Sequence, residues 1–340
     1  MDPVYTKILL EFPGMPVIPG LSFRLYQGEQ DLPAMLECIN AAKLVDQSER
    51  ADTLEDIRKT YSHLVNCDPY RDVLIAEVDG RMVGYSRLSW TIDEFAKIRL
   101  YVSFGFIRPE RRRQGIGRAM LRWNEASMRR IAATHPDDME RWFQSTAQDT
   151  EVENERLLQE EGYTAVRHGF SMVRPDLENI PDMPLPAGLE VRPVLSREDE
   201  RKVWEADQEA FRDHWGFVAG TEEDYALWLE QSTHQPALWQ IAWDGDQVVG
   251  GVQSFINNNE NVEYRRLRGY TEDIFTRREY RRRGVAHALI AGSLRLLKEK
   301  GMTEAALGVD TQNLSGALRV YESMGFRMVK RFTTYRKRME

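Results

Sequence analysis

Arg281-Arg282-Arg283-Gly284-Val285-Ala286 lies between an apolar run that includes Ile274 and Phe275 and a helix-like run from Leu289 onward. The same arrangement occurs earlier in the chain. Arg112-Arg113-Gln114-Gly115-Ile116-Gly117 follows the apolar run Val102 to Ile107 and opens a second helix-like run at Met120. A strand, a tight turn of small residues and a helix start together make an anion cradle. Backbone N–H groups at the helix N-terminus point at the anion, glycine lets the main chain approach, and arginine adds charge and donors. Two copies in matching contexts point to a duplicated phosphate-binding unit.

Other landmarks repeat at nearly the same spacing. Gly115 and Gly284 stand 169 residues apart, Gly84 and Gly250 166, and Phe23 and Val191 168. Asp79-Gly80 and Asp244-Gly245 each separate two apolar runs and read as hairpin turns. Between the halves lie Pro175, Pro181, Pro184, Pro186 and Gly188, a density that neither a helix nor a central strand accommodates. The reading places a first domain at 1–174, a linker at 175–188 and a second domain at 189–340. Each half reads as strand, helices, hairpin, strand, phosphate loop, helix, strand, helix, strand. In the second half the helix-like runs are 199–211, 222–229, 288–300 and 316–324. Such alternation fits one layered α/β domain per half.

Composition narrows the function. The chain has 340 residues, 42% of them hydrophobic, enough for two packed cores. A formal net charge of −8 argues against a general nucleic-acid binder despite the arginine clusters and agrees with a cationic substrate. Cys38 and Cys67 are the only cysteines, no disulfide framework, which points to a reducing compartment. The start of the chain lacks the basic-then-apolar order of a signal peptide, and no apolar run approaches the roughly 20 residues of a bilayer span. The expectation is a cytoplasmic protein, with no membrane or nucleic-acid partner, working as a monomer or homodimer. The histidines and cysteines show no metal-ligand spacing, so no metal is expected.

The pattern Arg-x-x-Gly-x-Gly/Ala after a strand resembles the pyrophosphate loop of the GNAT-type N-acetyltransferases. The second half adds Asn313, Ala317, Tyr321, Gly325 and Phe326, with a four-residue spacing that sets Asn313, Ala317 and Tyr321 on one helix face. The resemblance implies two tandem GNAT-like domains, each a mixed, mostly antiparallel sheet flanked by helices. That tandem plan, with an active second half, resembles the mycothiol synthase family. It implies acetyl-CoA as cosubstrate and a small-molecule or peptide amine as acceptor, with direct transfer in a ternary complex. It implies cofactor contacts at Ile274, Phe275, Thr276, Arg281 to Ala286 and Asn313. In the first half it implies them at Ile107 and from Arg112 to Gly117. In this family a tyrosine at the position of Tyr321 commonly serves as general acid.

Acetyl transfer needs a neutral amine, stabilisation of an oxyanion and a proton for the departing thiolate. A phenol with a pKa near 10 can supply that proton. For the base, Glu272 and Asp273 precede the second loop. Strict strand alternation sets them on opposite faces, Glu272 with Ile274 and Thr276, and Glu272 is the first choice. His214 and Trp215 fall where the acceptor pocket is shaped in the family. The first half departs from the pattern. Its position equivalent to Tyr321 is Leu158, which cannot donate a proton, so this half is expected to be degenerate in catalysis. An acyl-CoA-binding sensor without turnover is the alternative function.

Overall fold

The computed structural model describes residues 9–212, 214–312 and 316–340. They form two compact units. The first comprises the chain up to Asp93, Lys97–Val166 and Thr333–Glu340; the second comprises Glu94–Ala96 and Arg167–Phe332.

In the first unit the strands β1 (Leu9–Leu10), β2 (Leu21–Leu25), β3 (Val73–Val78), β4 (Arg81–Asp93), β5 (Ile98–Ile107) and β6 (Glu140–Gln148) are neighbours in chain order. Only β5 and β6 run parallel. Every residue of β3 is buried, so the sheet is covered on both faces. On one face Leu74, Met120 and Phe143 share a core with α4 (Ile116–Ala132). On the other, Ile75 and Tyr85 pack with Met35 and Ile39 of α1 (Leu32–Val45). Helices α2 (Leu54–Ser62), α3 (Pro69–Asp72) and α5 (Val152–Glu160) complete the unit. Asp79 and Gly80 form the first hairpin turn, both at positive φ, 50° and 78°, as a two-residue type I′ turn requires.

Two long strands change unit along their length: β7 (Thr164–Arg174) after Val166, and the last strand of the chain, Arg327–Arg338, after Phe332. Tyr335 therefore sits in the core of the first unit and its hydroxyl donates to Glu155. Residues 167–174 complete the second unit, where Arg167 forks onto Asp310 at 2.8 and 2.6 Å. The units therefore follow no single cut in the proline-rich stretch. That stretch also packs on the second unit. Leu177 is 2% exposed, Met183 and Leu185 join the same core, and Arg295 donates to Pro181 O.

The second unit contains β8 (Glu190–Val191), α6 (Arg197–Phe211), α7 (Glu222–Glu230), β9 (Gln240–Asp244), β10 (Gln247–Phe255), α8 (Asn258–Tyr264), β11 (Arg268–Thr276), α9 (Val285–Glu299), β12 (Glu304–Asp310), α10 (Ala317–Ser323) and the start of β13 (Arg327–Arg338). The strand order is β7-β12-β11-β10-β9-β8, and only β11 and β12 run parallel. Ser196 and Thr221 cap α6 and α7 with reciprocal bonds to Asp199 and Asp224. Leu289, Ile290, Leu294 and Leu297 of α9 are each at most 1% exposed, worth about 1.5–3 kcal/mol apiece on burial. The opposite face packs Val203 and Ala206 of α6 on Trp239, Ile241 and Phe275. The second hairpin turns at Gly245 and Asp246 rather than at Asp244-Gly245. Only Gly245 has positive φ, the type II′ solution. The expected α/β class, with mixed, mostly antiparallel sheets flanked by helices, is what the chain adopts. No helix among the described residues is long and apolar enough to cross a membrane.

Candidate active site

The pairing of β10 with β11 contains the feature on which the site depends. Gly251 opposes Phe275, but Gln253 opposes Glu272, so β11 carries one residue more than its partner over this stretch. The extra residue is Asp273, held at φ 44°. Aspartate tolerates this left-handed conformation better than most side chains, and a bulge of this kind re-aims its neighbours. Directly opposed residues share a face. Glu272 therefore lies on the face of Phe275, toward α6, while Ile274 and Thr276 lie toward α9. This corrects the alternation argument, which had put Glu272 with Ile274 and Thr276: the bulge breaks the period of two.

Next to the bulge the sheet opens. β11 and β12 pair at Arg268↔Glu304, Gly269↔Ala305 and Tyr270↔Ala306 and then part. Across the opening the Gly308 N–H donates to Glu272 Oε1 at 2.9 Å. Burial, with a further push from the charge of Asp273, raises the Glu272 pKa to about 8, against the opposing pull of the Gly308 bond. Tyr321 on α10 is 6% exposed, edge-on to Phe326. Among the described residues its hydroxyl has no hydrogen-bond partner. Burial first, then the nearby Glu272 charge, push the phenol pKa upward, so it stays protonated at neutral pH. A poised carboxyl and a proton-bearing phenol thus interact where two backbone strands separate.

The loop ahead of α9 has the shape of an anion cradle. Arg282 and Gly284 are both left-handed, at φ 63° and 91°, and Gly284 is the N-cap of the helix. A Cβ built on Gly284 meets nothing within 4 Å, so the cradle is open there. Arg281 braces the loop, donating to Thr276 O at 3.0 Å and Ala210 O at 2.9 Å. Arg283 lies over the Tyr280 ring. Val285 and Phe275 are 1% and 3% exposed, so their side chains are core and only their backbone is available to a ligand. Ala286 is half-buried. These residues fit a pyrophosphate. Asn313 lies outside the described residues.

The first unit repeats the cradle but not the chemistry. Arg113 and Gly115 are left-handed at φ 60° and 86°. Ile107, Arg112, Arg113, Gly115 and Gly117 line a cavity of about 340 Å³. Ile116 is 1% exposed and serves the core, and the Gln114 side chain turns back to Glu110 O. A Cβ on Gly115 would meet Pro16 at 3.3 Å. Arg112 is clamped by Asp46 at 2.6 and 2.7 Å, and Glu153 and Glu160 also line the cavity. The ladder between β4 and β5 runs without a bulge from Gly84↔Ile107 to Asp93↔Ile98. Leu158 is a core residue, 1% exposed.

Sequence reasoning missed Asp207. It lies on α6, one turn beyond the core residue Val203, and its Oδ1 is buried without a hydrogen-bond partner. Burial and the charge of Asp273 raise its pKa well above the usual carboxylate range. An acid on the inward edge of an amphipathic helix was the available signal. Of the two residues expected near the acceptor, His214 rests on the Phe211 ring, and Trp215 is covered by the Arg167 guanidinium.

Comparison with known proteins agrees with this anatomy. Residues 201–326 match the acetyltransferase (GNAT) family, and residues 69–164 match an acetyltransferase (GNAT) domain. The mycothiol acetyltransferase of Geodermatophilus obscurus is 28% identical over 75% of this chain and 79% of its own length. That of Salinispora arenicola is 24% identical over 87% and 91%. A GCN5-related N-acetyltransferase from Sphaerobacter thermophilus superposes with TM-score 0.72 at 22% identity, covering 95% of this chain and 97% of that one. A tandem GNAT protein from the clavulanic acid biosynthesis pathway gives 0.64 at 15% identity, covering 94% and 99%. The chain belongs to the GNAT family in both of its halves, and it is a tandem N-acetyltransferase that moves an acetyl group from acetyl-CoA to an amine.

Proposed function

We propose that the second unit performs the transfer, on a small-molecule primary amine, directly within a ternary complex. The residues Arg281–Ala286 hold the pyrophosphate of acetyl-CoA, chiefly through backbone N–H groups. The parted strand at Ile274–Thr276 offers its main chain to the pantetheine arm and thioester carbonyl. An aliphatic amine arrives protonated, since its pKa is near 10. Glu272 takes one proton, directly or through water. The neutral nitrogen attacks the carbonyl carbon, and a C–N bond forms. The C–S bond then breaks, and Tyr321 gives its proton to the departing thiolate. The second proton of the nitrogen leaves as the amide forms and restores the phenol through solvent.

One observation carries this reading. The bulge at Asp273 brings Glu272 to the opening where Tyr321 also lies, whereas the first unit has an unbroken ladder and Leu158. The curated relatives that cover most of the chain are named mycothiol acetyltransferases, which favours a small-molecule acceptor here. A coenzyme A-binding protein without turnover gains no support from the comparisons. The test is thiol release from acetyl-CoA over a panel of primary amines, with wild type beside Glu272→Gln and Tyr321→Phe. Amine-dependent release lost in both variants supports the reading. Full activity in both removes it.

A further inference from the structure

Buried polar side chains are normally hydrogen-bonded. Asn261 shows the rule in this unit: both ends of its amide bond the main chain of Arg268, at 2.9 Å each. Gln253 departs from it. The residue lies near the end of β10 and is 6% exposed, yet its side-chain amide makes no hydrogen bond among the described residues. The register fixes its place. Gln253 directly opposes Glu272, just past the bulge. Opposed residues of an antiparallel pair share a face, with Cβ atoms about 4.5–5.5 Å apart. Val252 beside it packs into the core shared with α9, so Gln253 lies on the face toward α6, with Glu272. The next pair along that face, Phe255 and Tyr270, is stacked at 4.8 Å and gives the two polar groups an apolar flank. Glu272 itself has only the Gly308 N–H, on Oε1. Two polar side chains therefore stand side by side at the opening, and neither bonds to the other.

An amide buried without a partner is destabilising, and an apolar side chain such as those of Val248, Val249 and Val252 on the same strand would avoid the cost. A group that arrives with the substrate supplies the missing partner. Once Glu272 has taken a proton from the ammonium, a primary amine keeps two N–H bonds and a lone pair. The lone pair is needed for the thioester carbon. One N–H stays on the carboxyl, and the other requires an acceptor beside it. An amide oxygen is suited to this, because it accepts a hydrogen bond without taking the proton. A secondary amine has no second N–H to offer. Resting on the reading of the second unit as the acetyltransferase site, we propose that Gln253 is a specificity-determining residue: its amide oxygen accepts the second N–H of the acceptor nitrogen beside Glu272, turns the lone pair toward the thioester and selects primary over N-alkylated amines.

The test uses a primary amine that the wild type acetylates in the panel above and its N-methyl derivative, with saturating acetyl-CoA. Wild type should favour the primary amine at least tenfold in kcat/KM. Gln253→Met keeps the length of the side chain and removes the amide. In that variant the ratio should fall about tenfold, the scale of one lost hydrogen bond, with the N-methyl amine little affected. Its Tm should stay level or rise, because a buried group without a partner is gone. Gln253→Glu keeps an oxygen acceptor and adds a charge opposite Glu272. It should retain the preference, while the rise of kcat/KM with pH moves to higher pH, since a like charge disfavours the ionised base. An unchanged ratio in Gln253→Met, or equal losses on both amines with a fall in Tm, would overturn the proposal; continued inactivity of Glu272→Gln would then leave the catalytic reading in place. A collapsed ratio in Gln253→Met beside full activity in Glu272→Gln would keep the amide contact and remove Glu272 as the base. A wild-type pH profile in Gln253→Glu would set the two side chains apart and overturn the proposal.

Discussion

Glu272 and Gly308 belong to strands that part from one another, yet the Gly308 N–H donates to Glu272 Oε1 at 2.9 Å. One hydrogen bond thus fixes the carboxyl in an opening that has no ladder to hold it. The cost is electrostatic. Burial and Asp273 raise the Glu272 pKa to about 8, from an ordinary 4.5.

That shift makes stability depend on pH. The folded protein prefers the protonated acid, while the unfolded chain loses the proton near its ordinary value. The associated stability is complete below about 4.5, declines as pH rises, and is fully lost above about 8. Its size is on the order of 1–4 kcal/mol. Glu272→Gln removes the ionisation and keeps an oxygen for the Gly308 N–H. The variant should therefore show a flatter Tm from about pH 5 to 9, and exceed wild type at the alkaline end. Thermal unfolding across that range checks it; parallel curves would count against a perturbed Glu272.

Tyr321 separates chemistry from binding. Its ring is packed beside Phe326, and its hydroxyl makes no hydrogen bond among the described residues. Tyr321→Phe should leave Tm and acetyl-CoA affinity nearly unchanged. It should lower kcat by roughly 10²–10⁴-fold, the range for loss of a general acid. Steady-state kinetics beside calorimetry make the comparison, and retained kcat would move the acid elsewhere.

The two cradle glycines should respond differently to the same change. Both are left-handed, so a β-branched residue strains either. A side chain on Gly284 points into open space, where the pyrophosphate is proposed to lie; on Gly115 it meets Pro16. Gly284→Val should weaken acetyl-CoA binding at least tenfold. Gly115→Val should act mainly on Tm and cost less turnover than Gly284→Val. The reverse order would assign the active site to the first unit.

Much of this was legible in the sequence because it rests on local signals. Gly115 and Gly284, each after arginines and before an apolar-periodic run, locate both cradles. Proline density points to a join at 175–188, but that stretch packs within the second unit, which already includes Arg167. The missing parts are non-local. Nothing near Asp273 announces that β10 will present one residue fewer, so alternation set Glu272 on the wrong face. The exchange of strand ends at Val166 and Phe332 depends on pairing between segments far apart in the chain. Asp207 is an ordinary helix residue until the fold buries its Oδ1 without a hydrogen-bond partner.

We propose that Glu272 takes the proton of the acceptor amine. The most direct test is the pH dependence of kcat/KM for wild type and Glu272→Gln with one amine that the wild type acetylates. A base works deprotonated, so the wild-type value should climb through about pH 8, where Glu272 ionises. In Glu272→Gln it should fall by roughly 10²–10⁴-fold at neutral pH. The remaining activity should rise only at higher pH, following the neutral fraction of the amine. An unchanged rate and an unchanged profile in the variant would contradict the account.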